Sequence, residues 1–296
     1  MKILENITLA DKTSYKIGGR ARFYIEPESE DEIIEAHRFA AERGVSVFIL
    51  GNGSNLLISD NGINAVVINL AARFSKIEWD GLTAVASGGF LLDDLAADAA
   101  KRGATGIVEL SGIPGTIGGA VIMNAGAFDA DIAKTLQSAR IFRASSQTFE
   151  TVAAADLALS YRSSSLKGGM DVVISATFEF ETMVASSPSL TREKILAARN
   201  EKQPLDYPSC GSVFKRPPGN YAGTLIQSCN LKGFKIGGAM VSDKHANFII
   251  NTGNATAEDV RSVIRHVQKT VYENSEILLE PEVIFVGEFN EPLFTL

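Results

Sequence analysis

The stretch Ser111-Gly112-Ile113-Pro114-Gly115-Thr116-Ile117-Gly118-Gly119-Ala120 decides how this chain is read, and it opens a run to Phe128 that carries almost no charge. An earlier loop, Gly51-Asn52-Gly53-Ser54-Asn55, follows a short apolar segment at residues 45–50. Glycine lets the backbone adopt positive φ and bring bare N–H groups close to a ligand, so loops of this kind suit a pyrophosphate. Neither loop matches G-x-G-x-x-G, and no GK[ST] loop is present, which disfavours a Rossmann or P-loop reading. Either loop alone could be a tight turn. Two of them in the first half of the chain are more than turn-making requires.

Outward from these loops the pattern is mixed α/β. Ser29 and Glu32 form a capping box ahead of Ile33, Ile34, Ala36, Phe39 and Ala40 at helical spacing, and Gly44 is the stop. Residues 45–50 and 65–70 read as strands. A second unit starts near Ser75, with a helix at 91–102 closed by Gly103 and strands at 138–143 and 172–180. Residues 184–189 are small and polar and read as a linker. A short helix covers 191–199. Thr256 is the N-cap of a helix whose apolar face is Val260, Val263, Ile264, Val267 and Val271. Residues 282–286 form a final strand.

The 296 residues, 45% of them hydrophobic, suffice for two domains or one large composite. A net charge of −7 argues against a nucleic-acid partner or an anionic membrane surface, but not against a phosphorylated ligand held by a few placed cations. Cys210 and Cys229 have no metal-ligand spacing around them, so no metal is expected. The low cysteine count fits a reducing compartment. No apolar run reaches the length of a membrane span, and the N-terminus lacks a leader's apolar core, so a cytoplasmic protein is expected.

Few polar residues stand out. Arg162, in Ser160-Tyr161-Arg162-Ser163-Ser164, reads as a surface arginine or as a bidentate grip on a carboxylate. Ser212, in Cys210-Gly211-Ser212-Val213-Phe214, reads as a turn serine or as a hydroxyl that passes a proton, since no G-x-S-x-G elbow surrounds it. Glu282 lies beside an apolar strand and reads as an edge-exposed carboxylate or as a functional one, whose pKa burial would raise into the range useful for proton transfer. His37 and His266 lie among charged residues and are expected on solvated helix faces. His245 precedes a strand and is the one histidine placed near a ligand.

Taken in order, the motifs TSYKIGG (13–19), GNGSNLL (51–57), SGIPGTIGGAVIMNAGAF (111–128), YRSS (161–164), YPSCGSVFKRP (207–217), IGGA (236–239), KHANFIIN (244–251) and LEPEVIFVG (279–287) closely resemble the UDP-N-acetylenolpyruvoylglucosamine reductase family, also called UDP-N-acetylmuramate dehydrogenase. They run over nearly the whole chain. The resemblance implies an α+β (mixed α/β) fold: an FAD-binding part of two subdomains of the PCMH, vanillyl-alcohol-oxidase-like type, and a C-terminal α/β substrate-binding domain. The implied division is 1–72 with a returning strand from 279–296, then 73–190, then 191–278.

It also implies a flavoenzyme that uses FAD and NADPH to reduce UDP-N-acetylglucosamine enolpyruvate to UDP-N-acetylmuramate in peptidoglycan precursor synthesis. Hydride passes from NADPH to the flavin and then to the enolpyruvyl methylene carbon, after which the carbon beside the carboxylate takes a proton. Charge spreading into that carboxylate must be stabilised by preorganised donors. On this resemblance Arg162 grips the carboxylate, Glu282 sits protonated on the developing enediolate, and Ser212 delivers the proton. The FAD-contacting positions are Tyr15, Gly51, Asn52, Gly53, Ser54, Asn55, Leu56, Ser111, Gly112, Ile113, Pro114, Gly115, Gly118, Gly119, Asn124 and Gly126. Lys202, Lys215, Arg216 and His245 fall where the family meets substrate. The short stretch between Arg162 and the strand at 172–180 resembles the type II branch, and a monomer is expected. The competing readings are an oxidase on the same scaffold and a flavin-binding relative without catalysis.

Overall fold

Strand-length apolar runs alternate with amphipathic helices along this chain, and its computed structural model, which describes residues 1–182 and 191–295, is mixed α/β. The linker expected at 184–189 lies outside the described residues. The chain divides into two units. One comprises Met1–Leu4, Phe23–Asn52 and Ala65–Arg199; the other comprises Glu5–Arg22, Gly53–Asn64 and Asn200–Leu296.

In the first unit, strand Ser46–Leu50 runs parallel to Ile63–Asn69, pairing Ser46 with Ala65 and Leu50 with Asn69. Helix Glu30–Glu42 begins where Ser29 Oγ accepts the Glu32 N–H at 3.3 Å. The return arm of the expected capping box is shifted by one residue, because the Glu32 carboxylate accepts the Glu28 N–H at 2.8 Å. The helix buries Ile33, Ala36, His37 and Ala40. His37 therefore departs from the solvated face expected of it. It follows Ile33 by four residues, which puts it on the apolar stripe, and its ring lies 4.8 Å from that of Phe142.

The same unit holds a five-stranded antiparallel sheet in the order Thr148–Ala153, Leu136–Arg143, Val172–Glu179, Thr83–Ser87, Ile77–Asp80. Helices Leu92–Lys101 and Ile117–Met123 contribute Leu92, Leu95, Ala99, Ile117 and Val121 to its core with Phe178 and Ile141. The glycine-rich segment enters the second of these helices through hydrogen bonds with the turn before the first: Leu92 N–H donates to the Gly115 carbonyl and Ile117 N–H to that of Phe90, at 2.9 and 2.8 Å.

In the second unit, Lys235–Ile236, Ala239–Val241 and Ile249–Asn251 form an antiparallel sheet. Helix Ala257–Ser275 buries Val260, Val263, Ile264, Val267 and Val271. Its capping box is complete: Thr256 Oγ1 accepts the Asp259 N–H and the Asp259 carboxylate accepts that of Thr256, each at 3.0 Å. Asp60 adds a second anionic cap, accepting the Ala257 N–H at 2.9 Å. His266 is again less exposed than expected, since its ring stacks on Phe234 at 4.0 Å. Strand Ile284–Val286 runs parallel to Leu56–Ile58, pairing Ile284 with Leu56.

Candidate active site

The two glycine-rich loops meet in the first unit. Asn52 Nδ2 donates to the Pro114 carbonyl at 2.7 Å, and a β-carbon on Gly51 would run into Thr116 Oγ1. The backbone N–H groups of Asn52, Gly115 and Thr116 donate to no protein acceptor among the described residues; nor do those of Gly53, Ser54 and Asn55, which continue the first loop into the second unit. Gly53 sits at φ +60, and a β-carbon there would overlap the Lys12 carbonyl. Other members of the glycine-rich set are spent on the fold. Ser111 Oγ donates to the Val108 carbonyl at 2.6 Å, Gly118 N–H to the Gly88 carbonyl at 2.8 Å, and Gly119 N–H to Thr116 Oγ1 at 3.4 Å.

The second loop is braced by a residue that the sequence did not single out. Asp93 accepts the Gly112 N–H at 2.7 Å and takes both Nη atoms of Arg192, at 2.6 and 2.9 Å. Burial alone would raise the Asp93 carboxyl; the Arg192 guanidinium and the Gly112 N–H outweigh it and hold the carboxyl below its ordinary value. Arg199 packs against Gly112, where a β-carbon would lie 2.8 Å from its Cδ. Among the described residues its buried Nε has no partner, and neither does the buried Oε2 of Glu109, two residues before Ser111. Burial lowers the Arg199 pKa, with Asp93 pulling the other way. Unpaired amides and unpartnered buried polar atoms around one loop carry a desolvation penalty unless something completes their hydrogen bonds. This donor-rich set fits the phosphates and hydroxyls of a flavin dinucleotide.

Arg162 stands at the other end of the glycine-rich segment. The turn that bears it is closed by reciprocal bonds between Ser160 and Ser163, with Arg162 at φ +56. A non-glycine residue in that region is strained, and such strain collects at functional sites. The turn is fastened to the segment by Asn124 Nδ2 to the Ser160 carbonyl at 3.1 Å, by Ser164 Oγ to the Ile122 carbonyl at 2.7 Å, and by Arg162 Nη2 to the Gly126 carbonyl at 3.0 Å.

Ser212 and Glu282 come together in the second unit. Val213 N–H donates to the Asn247 carbonyl at 2.8 Å, and the Val213 carbonyl accepts the Glu282 N–H at 2.7 Å. Phe214 pairs with Pro281 in an isolated bridge. The first glycine-rich loop reaches the same place: Asn55 Nδ2 donates to the Glu282 carbonyl at 3.2 Å and the Asn55 carbonyl accepts the Ile284 N–H at 3.0 Å. Ser14 ties this loop to the serine loop, since its N–H donates to the Gly53 carbonyl at 3.3 Å and its Oγ to the Ser209 carbonyl at 2.7 Å. Tyr15 is fully buried, with its hydroxyl donating to the Ile249 carbonyl at 2.8 Å.

Two regions of the chain match known protein families: residues 203–286 match the C-terminal domain of UDP-N-acetylenolpyruvoylglucosamine reductase, and residues 21–151 match an FAD binding domain. A UDP-N-acetylenolpyruvoylglucosamine reductase of Caldicellulosiruptor bescii is 43% identical over 296 residues, covering 99% of this chain and 94% of that one. The chain belongs to the UDP-N-acetylenolpyruvoylglucosamine reductase family. A reductase of the same description from Clostridium perfringens is 43% identical over 96% of this chain and 94% of its own length. The crystal structure of the Thermus caldophilus reductase superposes with a TM-score of 0.81 at 33% identity, covering 97% of this chain and all of that one.

The remaining candidates for substrate contact in this reductase lie in its second unit. Lys202 is exposed. Lys215 forms an ion pair with Glu280, and the Arg216 guanidinium lies 4.1 Å over the ring of Tyr221, which is itself exposed. His245 is half-buried; its ring meets Phe248 edge-on at 4.9 Å and its Nδ1 accepts the Asn247 N–H at 3.2 Å. Burial lowers its pKa, and the Lys232 ammonium adds to that, against a backbone hydrogen bond that raises it. The bracing roles of Asp93, Ser14 and Asn247 were missed by sequence reasoning. Each acts by binding backbone far away in the chain, and no periodicity or motif marks that.

Proposed function

We propose that Arg162, Ser212 and Glu282 carry the chemistry of this chain, a reductase of peptidoglycan precursor synthesis that converts UDP-N-acetylglucosamine enolpyruvate to UDP-N-acetylmuramate with NADPH. FAD, when bound, supplies the two-electron relay between NADPH and substrate. Asn52, Gly53, Ser54, Asn55, Gly115 and Thr116 would hold it through their unpaired N–H groups, with Arg199 as the nearby cation.

Arg162 orients the substrate carboxylate and offsets the charge that spreads into it. Ser212 Oγ–H donates the proton to the carbon next to that carboxylate. A hydroxyl is a weak acid, but a strongly basic carbon takes its proton when held within reach. Glu282, in its protonated form, donates a hydrogen bond to the developing enediolate. Lys202, Lys215, Arg216 and His245 meet the UDP portion, where a few cations suffice in an otherwise acidic chain. The observation that carries this reading is the pair of backbone bonds at Val213, which seats Ser212 beside Glu282 and next to Asn55 of the cofactor loop.

Several finer points belong to the same reading. The short connection between Arg162 and strand Val172–Glu179 favours the type II branch. We assign residues 1–72 with 279–296 and residues 73–190 to the two parts of the FAD-binding region, and residues 191–278 to substrate. The same reading makes the protein a cytoplasmic monomer; no helix among the described residues is long and apolar enough to cross a membrane.

The test separates the half-reactions. Ser212→Ala should leave NADPH-dependent bleaching of the flavin unchanged and slow the return of flavin absorbance on adding substrate by about 10²–10⁴-fold. Equal slowing of both steps would remove Ser212 from the proton-donor role. NADPH consumption that does not require the enolpyruvyl substrate would point to an oxidase instead.

A further inference from the structure

Ser212 stands on a loop that begins with Gly211 at φ +81 and has no regular secondary structure of its own, so its direction must be imposed from outside. Asn247 supplies three of the bonds that constrain it. The Asn247 backbone carbonyl accepts the Val213 N–H at 2.8 Å, which is the amide closing the Ser212 residue. The Asn247 side chain then clamps Phe214 through both of its backbone groups: Oδ1 accepts the Phe214 N–H at 3.0 Å and Nδ2 donates to the Phe214 carbonyl at 2.9 Å. Asn247 is 8% exposed and Phe214 2%, so water does not substitute for these bonds.

Asn247 is in turn held by His245. The Asn247 N–H donates to His245 Nδ1 at 3.2 Å, which requires that nitrogen to be an acceptor and places the proton of the neutral ring on Nε2. The His245 N–H donates to Ser242 Oγ at 3.3 Å, and the Ser242 N–H donates to the Phe248 carbonyl at 2.8 Å, closing the turn. An amide side chain that meets both the N–H and the carbonyl of one residue fixes that residue's peptide planes more tightly than a single bond does. Because Val213 also gives its carbonyl to the Glu282 N–H, the strip of backbone after Ser212 is gripped from two sides, by Asn247 and by the Glu282 segment.

We propose that Asn247 is the positioning residue that aims the Ser212 hydroxyl, acting without touching substrate or cofactor. This rests on the reading of Ser212 as proton donor. Displacing a reacting group by about an ångström can cost 10²-fold in rate, so an unclamped Ser212 should donate poorly while hydride transfer into the flavin from NADPH proceeds unaffected. Asn247→Asp separates clamp from bulk: it keeps an acceptor for the Phe214 N–H but faces the Phe214 carbonyl with a second oxygen.

The experiment uses the FAD-loaded full chain and follows each half-reaction by stopped flow, for the wild type, Asn247→Ala, Asn247→Asp, Ser212→Ala and the Ser212→Ala/Asn247→Ala double variant. Flavin bleaching by NADPH serves as the control for folding and should stay within about twofold in all of them. We expect Asn247→Ala and Asn247→Asp to slow substrate reduction by about 10–100-fold, and Asn247→Ala to add less than about threefold in the Ser212→Ala background, because residues that act as a unit are strongly non-additive. The same loss in both backgrounds, or equal slowing of both half-reactions, overturns the proposal while leaving Ser212 in its role. Substrate reduction undiminished in Ser212→Ala overturns the Ser212 reading, and this proposal with it.

Discussion

Replacing Asp93 by Asn should loosen the loop at Gly112 and lower the stability of the first unit by an amount the geometry allows us to work out. The carboxylate takes two Arg192 nitrogens and the Gly112 N–H, at 2.6, 2.9 and 2.7 Å. Asp93 is 32% exposed and Arg192 21%, so solvent screens the ion pair. A screened pair of this kind contributes about 1 kcal/mol, and the charge-assisted bond to Gly112 about another 1.5 kcal/mol. Asn keeps one acceptor, which leaves a net loss of about 2 kcal/mol, or about 4–8 °C in Tm for a unit of this size. Differential scanning fluorimetry of the flavin-free and FAD-loaded chain reads it directly.

The pH dependence has a definite sign. Asp93 is held below its ordinary value in the folded chain by Arg192 and Gly112, which overcome the opposing effect of burial. Its contribution is therefore present above the unfolded carboxyl pKa of about 3.9 and is lost as pH falls through the lower folded value. The gap in Tm between wild type and Asp93→Asn should be full at neutral pH and close under strong acid. Identical Tm values at neutral pH, or a gap that persists unchanged into acid, would refute the assignment of these bonds.

Other outcomes follow from the same structure. Gly53→Ala forces a β-carbon into the Lys12 carbonyl at a position with φ +60, so it should purify with much less FAD per chain; full flavin occupancy would exclude that loop from the cofactor site. His37 is 7% exposed, and burial lowers its pKa against the pull of Asp171. The unfolded chain takes up the proton first, so stability should fall as pH drops below about 6.5; His37→Leu should flatten that slope in Tm-against-pH scans, and an unchanged slope would clear His37. Burial pushes the Cys210 thiol up to about 12, while Cys229 is only partly buried. Iodoacetamide should label Cys229 in the native chain and Cys210 only after unfolding; rapid native labelling of Cys210 would contradict its burial.

Much of the local structure was legible because it depends on neighbours a few residues apart. The helix Ala257–Ser275 announced itself through Thr256 and a five-residue apolar stripe, and it forms with the expected N-cap. The strand Leu136–Arg143 begins two residues before its sequence boundary and Val172–Glu179 ends one residue short of its own, because pairing with a neighbour sets the ends. His37 and His266 were misjudged because the charges around them were counted and their phase on the helix was not. The catalytic candidates were legible only as ordered motifs. Taken singly, Arg162, Ser212 and Glu282 look like a turn arginine, a turn serine and a strand-edge glutamate.

Sequence alone determined the main helices, the strands at the clearest apolar runs, the Thr256 cap, the two glycine-rich loops and, through motif order, the family. These properties follow from side-chain periodicity and from backbone freedom at glycine, which act over a turn or a strand. Tertiary structure alone decided that Asn52 would meet Pro114, that Asp93 would brace Gly112, and that Val213 would be shared between Asn247 and Glu282. Those contacts join backbone groups that any residue type carries, so only the folded path of the chain can say which N–H finds which carbonyl.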